Sequence, residues 1–219
     1  MRTLLKESLL VLITLSPLAY LGYTWDQLPQ VVATHFDFSG KPNGWSDKTT
    51  LIYLIGGLGL GMYLLMLVLP KLDPKKKLEE MGSKYFSLRL ILAFFFAMIN
   101  GYIVYSALHT SVDASILFAL LGGLFAMLGN YFQTVRPNYF VGIRTPWTLE
   151  NEMVWKNTHK LAGRLWMIGG ILVILIAFLV TNDLFRGIAI TVVLSTIVIW
   201  PILFSYLDHK KLKRTSVNP

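Results

Sequence analysis

The chain has 219 residues, of which 54% are hydrophobic and only 15% are charged, and its mean hydropathy is +0.57. About a quarter of the residues in a soluble globular domain are charged, so this composition excludes an ordinary soluble domain. The formal net charge is +8. Cysteine is absent, which excludes disulfides, thiolate metal sites and cysteine nucleophiles.

The apolar residues are grouped into six blocks that contain almost no charge. The blocks are residues 8–23, 51–69, 90–108, 115–132, 165–180 and 188–207. A bilayer core about 30 Å thick requires about 20 residues of helix, and a helix satisfies its own backbone hydrogen bonds in lipid. Four blocks are long enough alone, and the first and fifth are long enough with a few flanking residues. The sequence therefore predicts an all-α membrane protein with six transmembrane helices.

The first block is predicted to be a retained helix. Arg2 and Lys6 resemble the basic start of a signal peptide, but no small-x-small cleavage site follows the apolar run.

Lys and Arg are distributed unevenly among the connections between blocks. The amino terminus, residues 70–89, residues 136–164 and the tail after Asp208 hold 17 of the 20 cations. The positive-inside rule therefore predicts that both termini are cytoplasmic and that residues 24–50 are extracellular. On this interpretation the net positive charge is a topology signal, and we expect no direct contact with nucleic acid. Membrane lipid is the expected partner of the basic clusters.

These features divide the chain into four segments. They are the first helix with the extracellular loop (1–50), helices two to four (51–132), the cytoplasmic loop (133–164), and helices five and six with a basic tail (165–219).

Two groups of small residues predict close helix packing inside the bundle. Gly57 and Gly61 lie four positions apart in the second block, and Gly122-Gly123 with Ala126 form a similar group in the fourth. Residues at this spacing share one helix face and allow two backbones to approach. Asn100, in the third block, is expected to form an interhelical hydrogen bond.

The predicted extracellular loop combines strand and turn signals. Residues 31–38 are rich in β-branched and aromatic residues with partial alternation, and Pro42-Asn43-Gly44 favours a turn. We expect a small strand-and-turn cap with one or two short strands.

The predicted cytoplasmic loop ends in a helical pattern. Gly142 permits a backbone bend beside Arg144, and Pro146 suits the first turn of a helix. One helix face then carries Trp155, His159, Ala162 and Trp166, and a neighbouring stripe carries Lys156, Lys160 and Arg164. The pattern predicts an amphipathic cytoplasmic helix before helix five, with aromatic residues at the membrane level and cations toward lipid phosphates.

Signals for catalysis, cofactors or ion-coupled transport are sparse. No charged residue lies at the middle of a block, and we find no nucleotide-binding loop, nucleophile elbow or paired-His zinc motif. His35 and Asp37 offer two potential metal ligands, which do not make a site. Glu150 and Glu152 could form an acid/base pair but more simply favour a helix amino terminus. We expect a protein without enzymatic activity, cofactor or metal.

The cytoplasmic loop carries a motif that resembles the signature of the SdpI-like immunity proteins. The motif is residues 136–149, RPNYFVGIRTPWTL, followed by Glu152, Trp155, Thr158-His159 and Ala162-Gly163. The outer loop is similar to a short amino-terminal domain of unknown function that often occurs in that family, through Leu28-Pro29, Thr34-His35-Phe36 and Gly40.

The resemblance implies a multi-pass protein of the bacterial cell membrane. It further implies immunity against a secreted, membrane-active toxin peptide, and a signalling role in which a cytosolic repressor is captured at the membrane. The inner docking face expected from this resemblance comprises Arg136, Asn138, Arg144, Trp147, Glu152, Trp155 and His159. The residues expected to face the toxin are His35, Phe36, Asp37 and Trp45.

Two other functional classes remain open from the residues alone. A small-solute or lipid-handling transporter would use the polar inner mouth near Asn130 and Gln133. A membrane enzyme would use Glu150, Glu152 or His159.

Overall fold

The computed structural model describes residues 2–37, 41–109 and 113–217. Phe38, the last residue of the predicted strand-like segment, and Gly40, a motif residue of the outer loop, lie outside this part of the chain. The helices are α1 (Arg2–Thr24), α2 (Thr50–Leu72), α3 (Lys77–Glu80), α4 (Ser83–Leu108), α5 (Ala114–Phe132), α6 (Pro146–Glu150), α7 (Glu152–Leu179) and α8 (Asp183–Val217). The strands are β1 (Val31–Phe36) and β2 (Pro42–Asp47), and a short 3-10 turn (Trp25–Gln27) follows α1.

Six helices in the described residues are long and apolar enough to cross a membrane, which confirms the predicted number. They are α1, α2, α4, α5, α7 and α8. Each contains one predicted block, except that Val180, the last residue of the fifth block, lies just beyond α7. Helices α7 and α8 also begin or end well outside their blocks. The predicted blocks stopped at charged residues, whereas an α-helix continues through Glu, Lys and Arg because these residues have good helix propensity.

Two hydrophobic clusters lie at opposite ends of the bundle. The end that carries the hairpin of β1 and β2 is called the hairpin end. At the hairpin end, Leu28 and Val32 pack with residues of α1, α2 and α4 such as Leu51 and Val104. The other end is named after the connection between α5 and α7 (residues 133–151, the signature loop). At this signature-loop end, residues of α3, α4 and α5 pack around Trp155 of α7.

The two strands form an antiparallel hairpin, in which Val31 lies opposite Asp47 and Ala33 lies opposite Trp45. The predicted turn at Pro42-Asn43-Gly44 is wrong, because these residues begin β2. The chain reverses between Asp37 and Lys41 instead, where the backbone N–H of Asp37 donates to the carbonyl of Lys41 at 2.9 Å. Proline fits the first position of a strand because it has no N–H to donate to the ladder.

Helices α5 and α7 pack backbone against backbone. A Cβ atom at Gly122 would lie 2.6 Å from the carbonyl oxygen of Gly170, and one at Gly129 would lie 2.7 Å from the carbonyl oxygen of Gly163. The predicted packing role of Gly122 is therefore confirmed. It is wrong for Gly57 and Gly61, because within the described residues no atom beyond the local helix lies within 4 Å of their Cβ positions.

Helices α1, α2 and α4 are joined by polar contacts. The Arg89 guanidinium of α4 donates to both carboxylate oxygens of Glu7 in α1, at 2.6 and 2.8 Å. The hydroxyl of Tyr85 donates to the carbonyl of Met66 at 2.6 Å. The amide of Asn100 donates to the carbonyl of Ile55 in α2 at 3.4 Å, which confirms its predicted interhelical bond.

Candidate functional site

The signature loop, residues 133–151, connects α5 to α7. Asn138 organises its first half, and its buried side chain forms four hydrogen bonds. The amide nitrogen donates to the carbonyls of Arg136 (2.8 Å) and Val141 (3.0 Å), and the amide oxygen accepts from the N–H groups of Phe140 (2.9 Å) and Val141 (2.6 Å). Because every bonding position of the side chain is used, Asn138 fixes the turn.

The loop then crosses the face of α7 that carries Trp155 and His159. The indole N–H of Trp155 donates to the carbonyl of Val135 at 2.9 Å, and the N–H of Ile143 donates to Nε2 of His159 at 2.9 Å. Gly142 lies above both rings with φ +111°, and a Cβ atom there would overlap Nε2 of His159. Glycine therefore serves both the backbone conformation and the close approach.

The second half of the loop is held by two threonines. Thr145 caps α6 and forms a reciprocal capping box with Thr148, whose hydroxyl also donates to the carbonyl of Ile143 at 2.8 Å. The hydroxyls of Thr145 and Ser205 lie 3.1 Å apart and are hydrogen-bonded, which attaches the loop to α8. The rings of Trp147 and Tyr206 add an aromatic contact at 5.1 Å between centroids.

The predicted amphipathic helix is the first part of α7 and continues directly into the membrane-spanning part. Its predicted aromatic face is present, but it packs against protein: Trp155 and His159 are 1% and 2% exposed. These two rings therefore pack against protein rather than lipid, and their depth at the membrane level stays a prediction. The signature loop covers them, and sequence periodicity identifies a buried face without showing what buries it.

The residues predicted for an inner docking face divide into two groups. Arg136, Arg144 and Glu152 are exposed, and Trp147 is half-buried. Asn138, Trp155 and His159 are buried beneath them and hold the loop together. The Arg144 guanidinium donates to the carbonyl of Tyr139, which keeps it on the loop.

Lys75, from the connection between α2 and α3, also contacts this loop. Its ammonium donates to the Tyr139 hydroxyl at 3.0 Å and lies 4.9 Å from the centre of the ring. The hydrogen bond to Tyr139 raises the pKa of Lys75. The contact joins two segments that both follow membrane-spanning helices.

A polar cleft of about 410 Å³ opens between α3, the start of the signature loop and the first turns of α7. Its charged residues are Lys77, Glu80, Arg136, Glu152 and Lys156. Trp155, His159 and Gln133 also line it. Asn130 is exposed and does not line this cleft, so the two residues considered for a transport mouth are not brought together there.

At the hairpin end, the predicted toxin-facing residues lie along the strands and the turn. A ring nitrogen of His35 is hydrogen-bonded to Asn43, and a carboxylate oxygen of Asp37 accepts from the N–H of Lys41 at 2.9 Å. Phe36 is half-buried, whereas Trp45 is 61% exposed. Across the described residues, no three His, Asp or Glu side chains are grouped closely enough to hold a metal ion.

Sequence reasoning missed Thr145, Thr148, Ser205 and Asp208. Asp208 accepts a hydrogen bond from the amide of Asn157 at 2.9 Å, which joins α8 to α7. A signal for the threonines was available, because a threonine followed by proline and by a second hydroxyl residue three positions later resembles a capping box. Nothing in the local sequence points to Ser205 or Asp208.

Comparison with known proteins covers both ends of the molecule. The model of the SdpI/YfhL protein family matches residues 134–205, and the domain of unknown function DUF1648 matches residues 12–60. The Immunity protein SdpI of Bacillus subtilis (strain 168) is 27% identical over 191 residues, which is 86% of this chain and 88% of the relative. The chain is similar to the SdpI/YfhL family across the signature loop, α7 and most of α8, and to Immunity protein SdpI over most of its length. No solved structure matches it significantly.

The SdpI/YfhL match contains the signature loop, α6, α7 as far as its end and α8 through Ser205. The DUF1648 match contains most of α1, the hairpin and the first part of α2. Six helices in the described residues suit a bilayer, and together with the similarity to Immunity protein SdpI they indicate a multi-pass protein of the bacterial membrane.

Proposed function

We propose that this protein is an immunity protein of the SdpI/YfhL type, which protects its cell against a secreted, membrane-active toxin peptide. The observation that carries the proposal is the similarity to Immunity protein SdpI, which extends over 86% of this chain and includes both the hairpin and the signature loop. A local match confined to the helices would support only shared membrane insertion.

The orientation proposed for this function places the hairpin outside and the signature loop in the cytoplasm. Lys48 lies at the hairpin end, whereas Lys75, Lys156 and Lys160 lie at the signature-loop end. The positive-inside rule supports this assignment. Reporter fusions at Pro42 are expected to show an external location, and fusions at Glu79 and Asn151 an internal one; a cytoplasmic signal at Pro42 would contradict the orientation.

The proposed toxin-facing surface is the exposed part of the hairpin, represented by His35, Asp37 and Trp45. Trp45 is 61% exposed and has an indole ring that suits contact with an amphipathic peptide at a membrane surface. Trp45 lies on β2, and the paired strand β1 is anchored by Val32, which is 2% exposed, so the ring is presented on an ordered hairpin.

The test is survival of toxin-sensitive cells that express the protein. Trp45→Ala is expected to reduce survival strongly, because an exposed aromatic anchor often costs 2 kcal/mol or more of binding energy when truncated, about thirtyfold in affinity. Tyr53→Ala is the matched control, because Tyr53 is 78% exposed on α2 and lies outside the hairpin. Equal survival with both variants, at equal abundance in the membrane, would contradict a toxin-binding role for Trp45.

The proposed immunity function requires no catalysis. Both ring nitrogens of His159 are engaged, one with the carbonyl of Trp155 and one with the N–H of Ile143, which leaves no ring nitrogen for proton transfer to a substrate. Glu152→Gln and Glu150→Gln are expected to retain full protection. Loss of protection in either variant, together with a turnover product, would favour an enzyme.

The signature loop is also proposed to dock a cytosolic repressor. Arg136, Arg144 and Trp147 supply two exposed cations and an aromatic ring on a loop whose buried hydrogen bonds hold it in shape. Arginine offers a planar fork of donors that suits a carboxylate on a partner.

Membrane recruitment of a labelled repressor tests this docking. Arg144→Ala is expected to abolish recruitment, whereas Lys160→Ala, an exposed cation on α7, should have a milder effect. Normal recruitment by Arg144→Ala, or an equal loss from both variants, would leave the loop without a specific docking role.

A further inference from the structure

The polar cleft at the signature-loop end contains two cations that have no counter-ion. Lys77 is paired with Glu80 at 3.0 Å, so these two charges largely neutralise each other. Arg136 and Lys156 also line the cleft, and neither side chain has an ion pair or hydrogen bond within the described residues. Their charges are available to an anion that enters the cleft.

The same wall of the cleft carries one unpaired carboxylate, that of Glu152. With the Lys77–Glu80 pair set aside, the free charges of the cleft are two positive and one negative. This balance suits an anion with one negative charge, such as a phosphodiester. A phosphate monoester carries about −1.5 to −2 at neutral pH and would be repelled more strongly by Glu152.

The floor of the cleft carries no charge, and its polar atoms already have hydrogen-bond partners in the protein. Trp155 and His159 are both at least 98% buried, and their ring nitrogens are bonded to backbone groups of the protein. An anion is therefore held by the cationic side chains at the rim and lies over aromatic rings. The floor supports an apolar or glycerol-like portion of the ligand better than a second charged group.

The position of the cleft relative to the membrane follows from where the membrane-spanning helices end. Gln133 directly follows α5, and the ring of Phe132, the last residue of that helix, lies 5.7 Å from the ring of His159. Lys156 is three residues before His159, about 4.5 Å further along the axis of α7. A headgroup layer extends about 5–8 Å beyond the hydrocarbon core on each side, so the cations lie at the depth of lipid phosphates.

We propose that this cleft is a binding site for the phosphodiester headgroup of an anionic phospholipid, with Arg136 and Lys156 as the residues that bind the phosphate. Arg136 contributes a bidentate donor fork and Lys156 a point charge. The site is distinct from the proposed toxin surface, which lies at the other end of the bundle. It shares Arg136 with the proposed docking surface, but Arg144 and Trp147 do not line the cleft. It does not depend on toxin immunity.

The test measures lipid retention by the full-length protein in detergent micelles, using native mass spectrometry during titration with phosphatidylglycerol or phosphatidylcholine. The unmodified protein is expected to retain phosphatidylglycerol preferentially. Arg136→Gln and Lys156→Gln should each weaken that binding about tenfold, the effect of losing one charge-assisted hydrogen bond. Lys160→Gln is the matched control, because Lys160 is an exposed cation one turn along the same helix and does not line the cleft.

A second variant acts in the opposite direction. Glu152→Gln removes the free carboxylate and is expected to tighten binding of phosphatidylglycerol, which no general loss of folding would produce. Equal weakening by Lys156→Gln and Lys160→Gln would overturn the proposal, since it would indicate a diffuse attraction to the basic surface. Unchanged binding in Arg136→Gln, Lys156→Gln and Glu152→Gln would overturn it as well.

Competitors identify the source of the phosphate. Inorganic phosphate and an acidic peptide are each added to the protein that is loaded with phosphatidylglycerol. Retention of the lipid in the presence of both supports a headgroup site. Displacement by inorganic phosphate at a concentration equal to that of the lipid would overturn the assignment to a lipid, and displacement by the peptide would assign the cleft to a protein partner instead.

Discussion

Nε2 of His159 accepts a hydrogen bond from the backbone N–H of Ile143 at 2.9 Å, and this bond joins the signature loop to α7. The other ring nitrogen, Nδ1, lies 2.9 Å from the carbonyl oxygen of Trp155. Because a carbonyl oxygen only accepts, Nδ1 carries the proton and Nε2 is the acceptor. The structure therefore requires a neutral imidazole with one defined tautomer.

Replacing His159 by leucine is expected to destabilise the protein by about 1–3 kcal/mol, because the buried N–H of Ile143 loses its acceptor. His159→Gln retains an amide oxygen that can accept, so its loss should be smaller. The measurement is the thermal unfolding midpoint in detergent micelles. His109→Leu serves as a control, because His109 is exposed and, within the described residues, its ring is hydrogen-bonded only to the carbonyl of Tyr105 in α4. Equal midpoints for His159→Leu and His109→Leu would show that the bond to Ile143 is dispensable.

Gly142→Ala is expected to open the signature loop. Alanine is strained at φ +111°, which costs about 1–3 kcal/mol, and its Cβ atom would overlap the ring of His159. The measurement is the rate of limited proteolysis within the loop, which should increase. Gly123→Ala is the control in α5, because in the part of the chain that the structure describes no group beyond the local helix lies within 4 Å of the new methyl group. Unchanged cleavage of Gly142→Ala would contradict the close packing of Gly142 on His159.

Asn138→Asp tests the network that fixes the first half of the loop. The carboxylate retains the two accepted bonds but loses the two donated bonds to Arg136 and Val141, and it buries a charge. The loss of two buried bonds is expected to destabilise the loop by about 2 kcal/mol or more. Asn182→Asp is the comparison, because Asn182 is exposed and only accepts a bond, from Phe185. Loop proteolysis should rise in the first variant alone; a rise in both would indicate a general effect of the added charge.

Gly129→Ala is expected to separate α5 from α7. Its Cβ atom would overlap the backbone of Met167 and lie 2.7 Å from the carbonyl oxygen of Gly163. Overpacking of this kind costs about 1–3 kcal/mol, and here backbone must move rather than a flexible side chain. The thermal unfolding midpoint should fall for Gly129→Ala and stay unchanged for Gly61→Ala, whose methyl group meets no described residue beyond its own helix within 4 Å. A fall in both variants would indicate that Gly61 contacts a second protein molecule.

The number of membrane-spanning helices was predictable because bilayer thickness sets a minimum length for an apolar run. The ends were less predictable. Glu152 opens α7 and Val217 closes α8, both well outside the apolar blocks, because helical hydrogen bonding does not end where hydrophobicity ends.

The faces of α7 were partly predictable. The 3.6-residue period places Trp155, His159 and Ala162 together, and the structure shows that all three are buried. What covers them depends on Asn138 and Gly142, which bend a distant segment back over the helix. Periodicity concerns one helix at a time, so it does not contain this tertiary information.

The glycines illustrate the same limit. Gly57 and Gly61 have the same four-residue spacing as Gly122 and Ala126, yet only the second group meets another helix inside the protein. Spacing determines which residues share a face. The direction in which that face points is set by the order and tilt of all the helices in the bundle.

The backbone contact between α5 and α7 restricts how a signal could cross the membrane. Because carbonyl oxygens of one helix lie against glycines of the other, rotation of either helix would cause a collision, and we expect the two helices to move as one lever. Because α7 extends from the floor of the polar cleft to Leu179, a tilt of this lever would displace protein groups at both membrane faces at once. Spin-label distances within the α5–α7 pair are expected to stay constant when toxin is added, while distances from α7 to α1 change. A change within the pair would rule out the lever.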